Sequence, residues 1–112
     1  MFSLYYLFII DILLNSMLKK MKVTKLLDLR RKKYLFKSTH RGTKEIDILL
    51  GRFVEMNINK LSDNELKQLE QIINLDEHKL FLILTKKMKP PNSINNSLVK
   101  KIILFNYNFK YK

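Results

Sequence analysis

Gly42 is one of only two glycines in the chain, and the apolar residues after it recur at helical spacing: Ile46, Leu49, Leu50, Phe53 and Val54. A glycine admits backbone conformations closed to other residues and lets another surface approach the main chain. The apolar stripe sets a period of 3.6 residues for this segment. No segment alternates with a period of two, and the two prolines, Pro90 and Pro91, fall between helical stretches. These features predict an all-α fold, a small bundle of about five short helices in one domain.

A first core helix is expected from Thr24 to His40, with Leu26, Leu27, Tyr34 and Leu35 on one face and a solvated basic run from Arg30 to Lys33. It should stop by Gly42. A second helix is expected from Thr43 to Met56, with Glu45 and Asp47 near its positive end. Gly51 inside it costs helix stability relative to alanine, which points to close packing. Glu45 and Arg52, seven residues apart, should share one side.

Ser62-Asp63-Asn64-Glu65 is a capping box, with Leu61 and Leu66 at hydrophobic-staple positions. The third helix should bury Leu66, Leu69 and Ile73. Asp76 can cap a fourth helix carrying Leu80, Phe81, Ile83 and Leu84, with Lys86 and Lys87 at its negative end and Pro90-Pro91 closing it. A loop through Asn95 leads to a last helix, with Leu98, Val99, Ile102, Ile103 and Phe105 as its buried set and residues 106–112 as a frayed polar-aromatic tail.

Charge and chemistry narrow the function. The formal charge is +12, but residues 43–84 carry a net −3 while residues 19–42 carry +9 and residues 85–112 carry +7. A basic balance placed in the ends speaks for solubility and steering before specific recognition. Cysteine is absent, which excludes disulfides, thiolate metal sites and cysteine nucleophiles and fits a reducing compartment. His40 and His78 have no metal-ligand spacing, and no phosphate loop or dinucleotide fingerprint is present. Glu45 and Asp47 point about 200° apart on a helix, a poor acid–base pair. An enzyme is the least expected class, and no metal site is expected.

The run Arg41-Gly42-x-x-Glu45-x-Asp47, preceded by a basic helix and followed by Leu50-Gly51-Arg52-Phe53, resembles the motif of the FAD assembly factors of succinate dehydrogenase, the SdhE family. Leu61-Ser62-Asp63-x-Glu65, the Asp76–Leu84 helix and Pro90-Pro91 extend the resemblance over roughly residues 28–105. The family usually has an acidic-proline turn and a tryptophan in the fourth helix; here His78 and Lys79 stand in the turn and Ile83 at the tryptophan position. The resemblance implies a chaperone-like assembly factor, not an enzyme. Its partner would be the flavoprotein subunit of succinate dehydrogenase, and in some bacteria that of fumarate reductase. A histidine of that partner becomes bonded to the flavin. On this reading Arg41, Gly42, Glu45, Asp47 and Arg52 form the partner-binding site. FAD belongs to the partner and is not bound stably here. The free protein is expected to be a monomer, cytoplasmic in a bacterium or in the mitochondrial matrix of a eukaryote, with no stable membrane span and no nucleic acid as partner.

Residues 1–20 form an apolar leader, in which the run Phe2 to Leu14 is interrupted by Ser3 and Asp11 and Lys19-Lys20 follow. The apolar run is shorter than the roughly twenty residues of a spanning helix. Three readings are open: a membrane-surface anchor, an extra docking helix, or sequence upstream of the true start. The third is favoured, with Met17 and Met21 as alternative starts, because the resemblance begins beyond them. The assembly-factor domain is then expected over residues 21–107, with a basic tail at 108–112. The alternative from another class is a small basic helical nucleic-acid-binding protein using Arg30 to Lys33 and the lysines of the last helix. The acidic centre and the lack of a recognition helix count against it.

Overall fold

The computed structural model describes residues 4–94 and 96–111. Phe2 and Ser3 of the leader, Asn95 of the loop and Lys112 of the tail lie outside the described residues. Among the described residues there are five helical segments and no strand. Helix α1 is Leu4–Thr39, α2 covers 44–57, α3 is Asp63–Ile73, α4 is Glu77–Leu84 and α5 is Ser97–Tyr111. The chain divides into two units, Met1–Arg30 and Arg31–Lys112.

Helix α1 begins far ahead of Thr24. No glycine or proline interrupts residues 4–39. Thr24 itself does not start a helix, because its Oγ1 donates back to the Lys20 carbonyl at 2.9 Å, the habit of a hydroxyl inside one. In the first unit the apolar side chains of Leu7, Phe8, Leu14, Met17 and Leu18 are all exposed, as are Leu26 and Leu29. Leu26 is therefore not a core residue. No helix among the described residues is long and apolar enough to cross a membrane.

The second unit holds the core. Ile46, Leu50, Val54, Leu66, Leu69, Ile72, Leu80, Ile83, Leu98 and Ile102 are fully buried. Helix α2 is built from Lys44–Ile46, a π-helical turn Asp47–Gly51, and Arg52–Asn57. The widened turn disturbs the 3.6 period, and Leu49 ends half-buried while Leu50 is enclosed. Gly51 explains itself at this point. A Cβ there would sit 3.1 Å from the Ser38 carbonyl and 3.3 Å from Thr39 Cγ2, so glycine lets α2 lie against the end of α1. The Ser38 hydroxyl, fully buried, is satisfied by the Tyr34 carbonyl at 2.7 Å. The Leu49 carbonyl in the π turn accepts from Asn106 Nδ2 of α5 at 2.7 Å.

Both helix starts read from the sequence form. The Ser62 hydroxyl accepts from the Glu65 amide at 3.1 Å and the Glu65 carboxylate accepts from the Ser62 amide at 3.1 Å. Asp76 Oδ1 accepts from the Lys79 amide at 2.9 Å. Leu66, Leu69 and Ile73 are buried as expected, joined by Ile72 and Gln68. Gln68 was not foreseen: its Oε1 accepts from Ser97 Oγ at 2.9 Å and from the Leu98 amide at 3.0 Å, so α3 caps the start of α5.

Three other expectations change. Arg31 is not on a solvated face; its guanidinium donates to the Ile58 carbonyl and, at 3.0 Å, to the Leu61 carbonyl, holding the α2–α3 connection. Helix α4 ends at Leu84, ahead of Pro90-Pro91. Residues 106–111 continue α5 as helix, with Phe105 packed edge-on against Phe53 at 5.6 Å between ring centroids. Leu98, Val99 and Ile102 are buried, whereas Ile103 and Phe105 are half-buried.

Candidate functional site: the Arg41–Thr43 corner

Between α1 and α2 the chain turns through His40, Arg41, Gly42 and Thr43. Gly42 takes φ +92°, the left-handed region that favours glycine, and a Cβ built on it would meet nothing within 4 Å. The turn thus needs glycine for its backbone angle, and it faces open space.

The turn is locked from within. Arg41, whose side chain is 10% exposed, donates from Nε to Glu77 Oε1 at 2.8 Å and from Nη2 to the Leu75 carbonyl at 2.7 Å; Nη1 donates to the Ile73 carbonyl. A guanidinium there meets carbonyls at the end of α3, where the helix dipole favours a cation. Glu77 is shared: its second oxygen accepts from Thr43 Oγ1 at 3.0 Å. Asp47, half-buried, accepts from the Arg41 backbone amide at 3.2 Å. One carboxylate from α2 and one from α4 therefore fix the same four-residue turn.

Glu45 has another role. It is exposed on the first turn of α2 and borders a shallow depression with Thr43, Ile46, Glu77, His78 and Phe81. Arg52 does not join it. Its guanidinium lies 4.7 Å from the Phe109 ring centroid and borders a separate cleft with Ile48, Leu49, Lys86 and Asn106. The π turn between Glu45 and Arg52 departs from the regular period that would place them on one side.

The five residues thus fall into three groups. Gly42 and Glu45 are presented outward, Arg41 and Asp47 hold the turn, and Arg52 stands at another cleft. Glu77 was missed, since an acidic residue after a helix cap reads as dipole compensation. His40 stacks on Phe36 at 4.2 Å, and no group of three or more His, Asp or Glu among the described residues could hold a metal ion. Ile83, which the resemblance sets at the family's tryptophan position, is buried.

The corner is thus a turn held by Arg41, Asp47 and Glu77, with Gly42 and Glu45 exposed on it, in a small all-α protein. Residues 32–106 match the family described as flavinator of succinate dehydrogenase, and the chain belongs to that family. It is 40% identical over 75 residues to "Succinate dehydrogenase assembly factor 2, mitochondrial" of Caenorhabditis elegans, covering 65% of this chain and 63% of that one. It is 35% identical over 65 residues to the protein of the same name in Arabidopsis thaliana, covering 58% and 35%. It is 31% identical over 74 residues to "FAD assembly factor SdhE" of Acetobacter pasteurianus, covering 66% and 68%. The match thus spans less than two thirds of the nematode and plant relatives.

Proposed function

We propose that this protein binds the flavoprotein subunit of succinate dehydrogenase and promotes covalent attachment of FAD to it, without being the catalyst. The observation that carries the reading is the pairing of an open, left-handed Gly42 with the exposed Glu45 on a turn fixed by Arg41, Asp47 and Glu77, in a chain of this family. A turn that is already rigid loses little conformational freedom when a partner docks on it. Holding a bound reactant in a reactive arrangement is enough to accelerate its chemistry.

In this reading Gly42 admits the partner's backbone and Glu45 accepts a hydrogen bond or ion pair from it. Arg41 and Asp47 act through the turn they hold, and Arg52 meets the partner at its own cleft. FAD stays with the partner. The fumarate reductase flavoprotein is a second partner of the same kind, and the free protein is a monomer. It works in the cytoplasm of a bacterium or the mitochondrial matrix of a eukaryote.

The test is co-expression of the flavoprotein with the wild-type chain or Glu45→Ala, followed by denaturing electrophoresis and in-gel flavin fluorescence. Covalent flavin should fall at least fivefold with Glu45→Ala while circular dichroism stays unchanged. Undiminished covalent flavin with a folded Glu45→Ala variant removes Glu45 from the site.

A further inference from the structure

Helix α4 closes in a Schellman turn that contains no glycine. The Lys87 amide donates to the Leu82 carbonyl at 2.8 Å and the Lys86 amide to the Ile83 carbonyl at 3.1 Å, and Lys86 takes φ +64°. Glycine usually occupies that position because it alone adopts the left-handed region without steric cost. A lysine held there is an outlier, and such outliers point toward function.

The surroundings of Lys86 supply a role. Three adjoining grooves along α5 all include Lys86 and Ile103. Their apolar lining includes Met88, Val99, Ile103 and Leu104, and their rim carries Lys86, Lys87, Lys89 and Lys100. No carboxylate among the described residues lines any of the three. Among the described residues Lys86, Lys89 and Lys100 have no ion-pair partner. Residues 85–112 contain seven lysines and no acidic residue, so nothing in this stretch of the chain compensates them.

We propose that this trough is the docking surface for an acidic segment of another protein, in which Asp or Glu side chains flank one or two large apolar ones. Carboxylates complement the lysine rim, and the apolar side chains fill the lining between. From Asn96, just ahead of α5, to Tyr107 the trough follows about 15 Å of helix, the reach of roughly four or five extended residues. An apolar lining offers nothing to a phosphate backbone, which separates this occupant from a nucleic acid. Arg41, Gly42 and Glu45 do not line the trough, and of the residues in the flavinylation reading only Arg52 borders one of its three grooves; the test reads peptide binding and not covalent flavin, so either reading can fail alone.

The experiment uses the isotope-labelled full chain and three probes followed by amide chemical shifts. One is a nine-residue acidic peptide containing two leucines and a phenylalanine, the second has those three replaced by serine, and the third is a twelve-nucleotide oligothymidylate. The first should shift the amides of Lys86, Val99, Ile103 and Tyr107 and bind at least tenfold more tightly than the other two. Lys86→Gly should weaken that binding at least threefold while raising Tm, a split that a purely structural lysine does not give. Lys100→Gln should weaken it as well, without a change in Tm. Equal binding of the serine peptide or the oligonucleotide overturns the proposal, as does unchanged affinity in both variants or shifts confined to other surfaces.

Discussion

Arg41 links more of this molecule than any other polar side chain at the corner, joining the turn to the end of α3 and the start of α4. Its hydrogen bonds are charge-assisted, and hydrogen bonds of that kind contribute about 1.5–3 kcal/mol each. Arg41→Ala should therefore destabilise the fold by about 2–3 kcal/mol in urea unfolding, since the carbonyls it leaves can regain only part of their hydration. A loss below about 1 kcal/mol would make Arg41 available for an outside partner. Glu65 gives a second test at this scale. Its hydrogen bond with Lys101 at 2.7 Å and the amide of Ser62 hold its carboxyl below the usual value of 4.5. A folded pKa depressed below the unfolded one stabilises the protein above pH 4.5, and that contribution is lost as pH falls through the folded value. Lys101→Ala should raise the Glu65 pKa measured by NMR titration and shrink the loss of stability on acidification. An unmoved Glu65 titration in that variant would leave Ser62 as the dominant partner.

Among the elements, α2 depends most on its neighbours. Its π turn is accommodated by Gly51 against the Ser38 carbonyl and by Asn106, which donates to the Leu49 carbonyl. The extra turn width brings Leu50 fully inside while Leu49 stays half-buried. Gly51→Val should destabilise the protein by about 1–3 kcal/mol through overpacking, because the atom it meets is backbone and cannot swing aside. Thermal unfolding monitored by circular dichroism reads this directly. A rise in Tm would mean that helix propensity outweighs the contact and that α1 and α2 can separate there.

At the scale of the molecule, every buried core residue among the described residues lies at Tyr34 or beyond. Residues 4–30 form one stretch of helix on which Leu4, Leu7, Phe8, Leu13, Leu14, Met17, Leu18 and Leu26 are exposed and Leu27 is half-buried. Removing residues 1–20 should leave the core intact, with Tm changing by less than about 4–8 °C, the shift expected for 1 kcal/mol in a domain this small. A larger fall would assign the leader a share in the stability of the second unit.

The local features of this protein could be read directly from the chain. The Ser62–Glu65 box, the Asp76 cap, the left-handed Gly42 and the inward faces of α3 and α4 each depend on residues within a turn of one another, so short-range sterics and hydrogen bonding decide them. The helical spacing after Gly42 located the corner by the same local logic, and the resemblance of Arg41-Gly42-x-x-Glu45-x-Asp47 to the family motif singled out its residues. The tertiary structure alone determined which side chains at that corner are committed inside. Arg41 finds Glu77, Gln68 caps α5, Arg31 holds the 58–61 connection and Asn106 reaches the π turn, all across 27 residues or more. Such pairings arise because buried carbonyls and amides must be satisfied by whatever the packed helices bring near, and helical spacing within one segment says nothing of its neighbours.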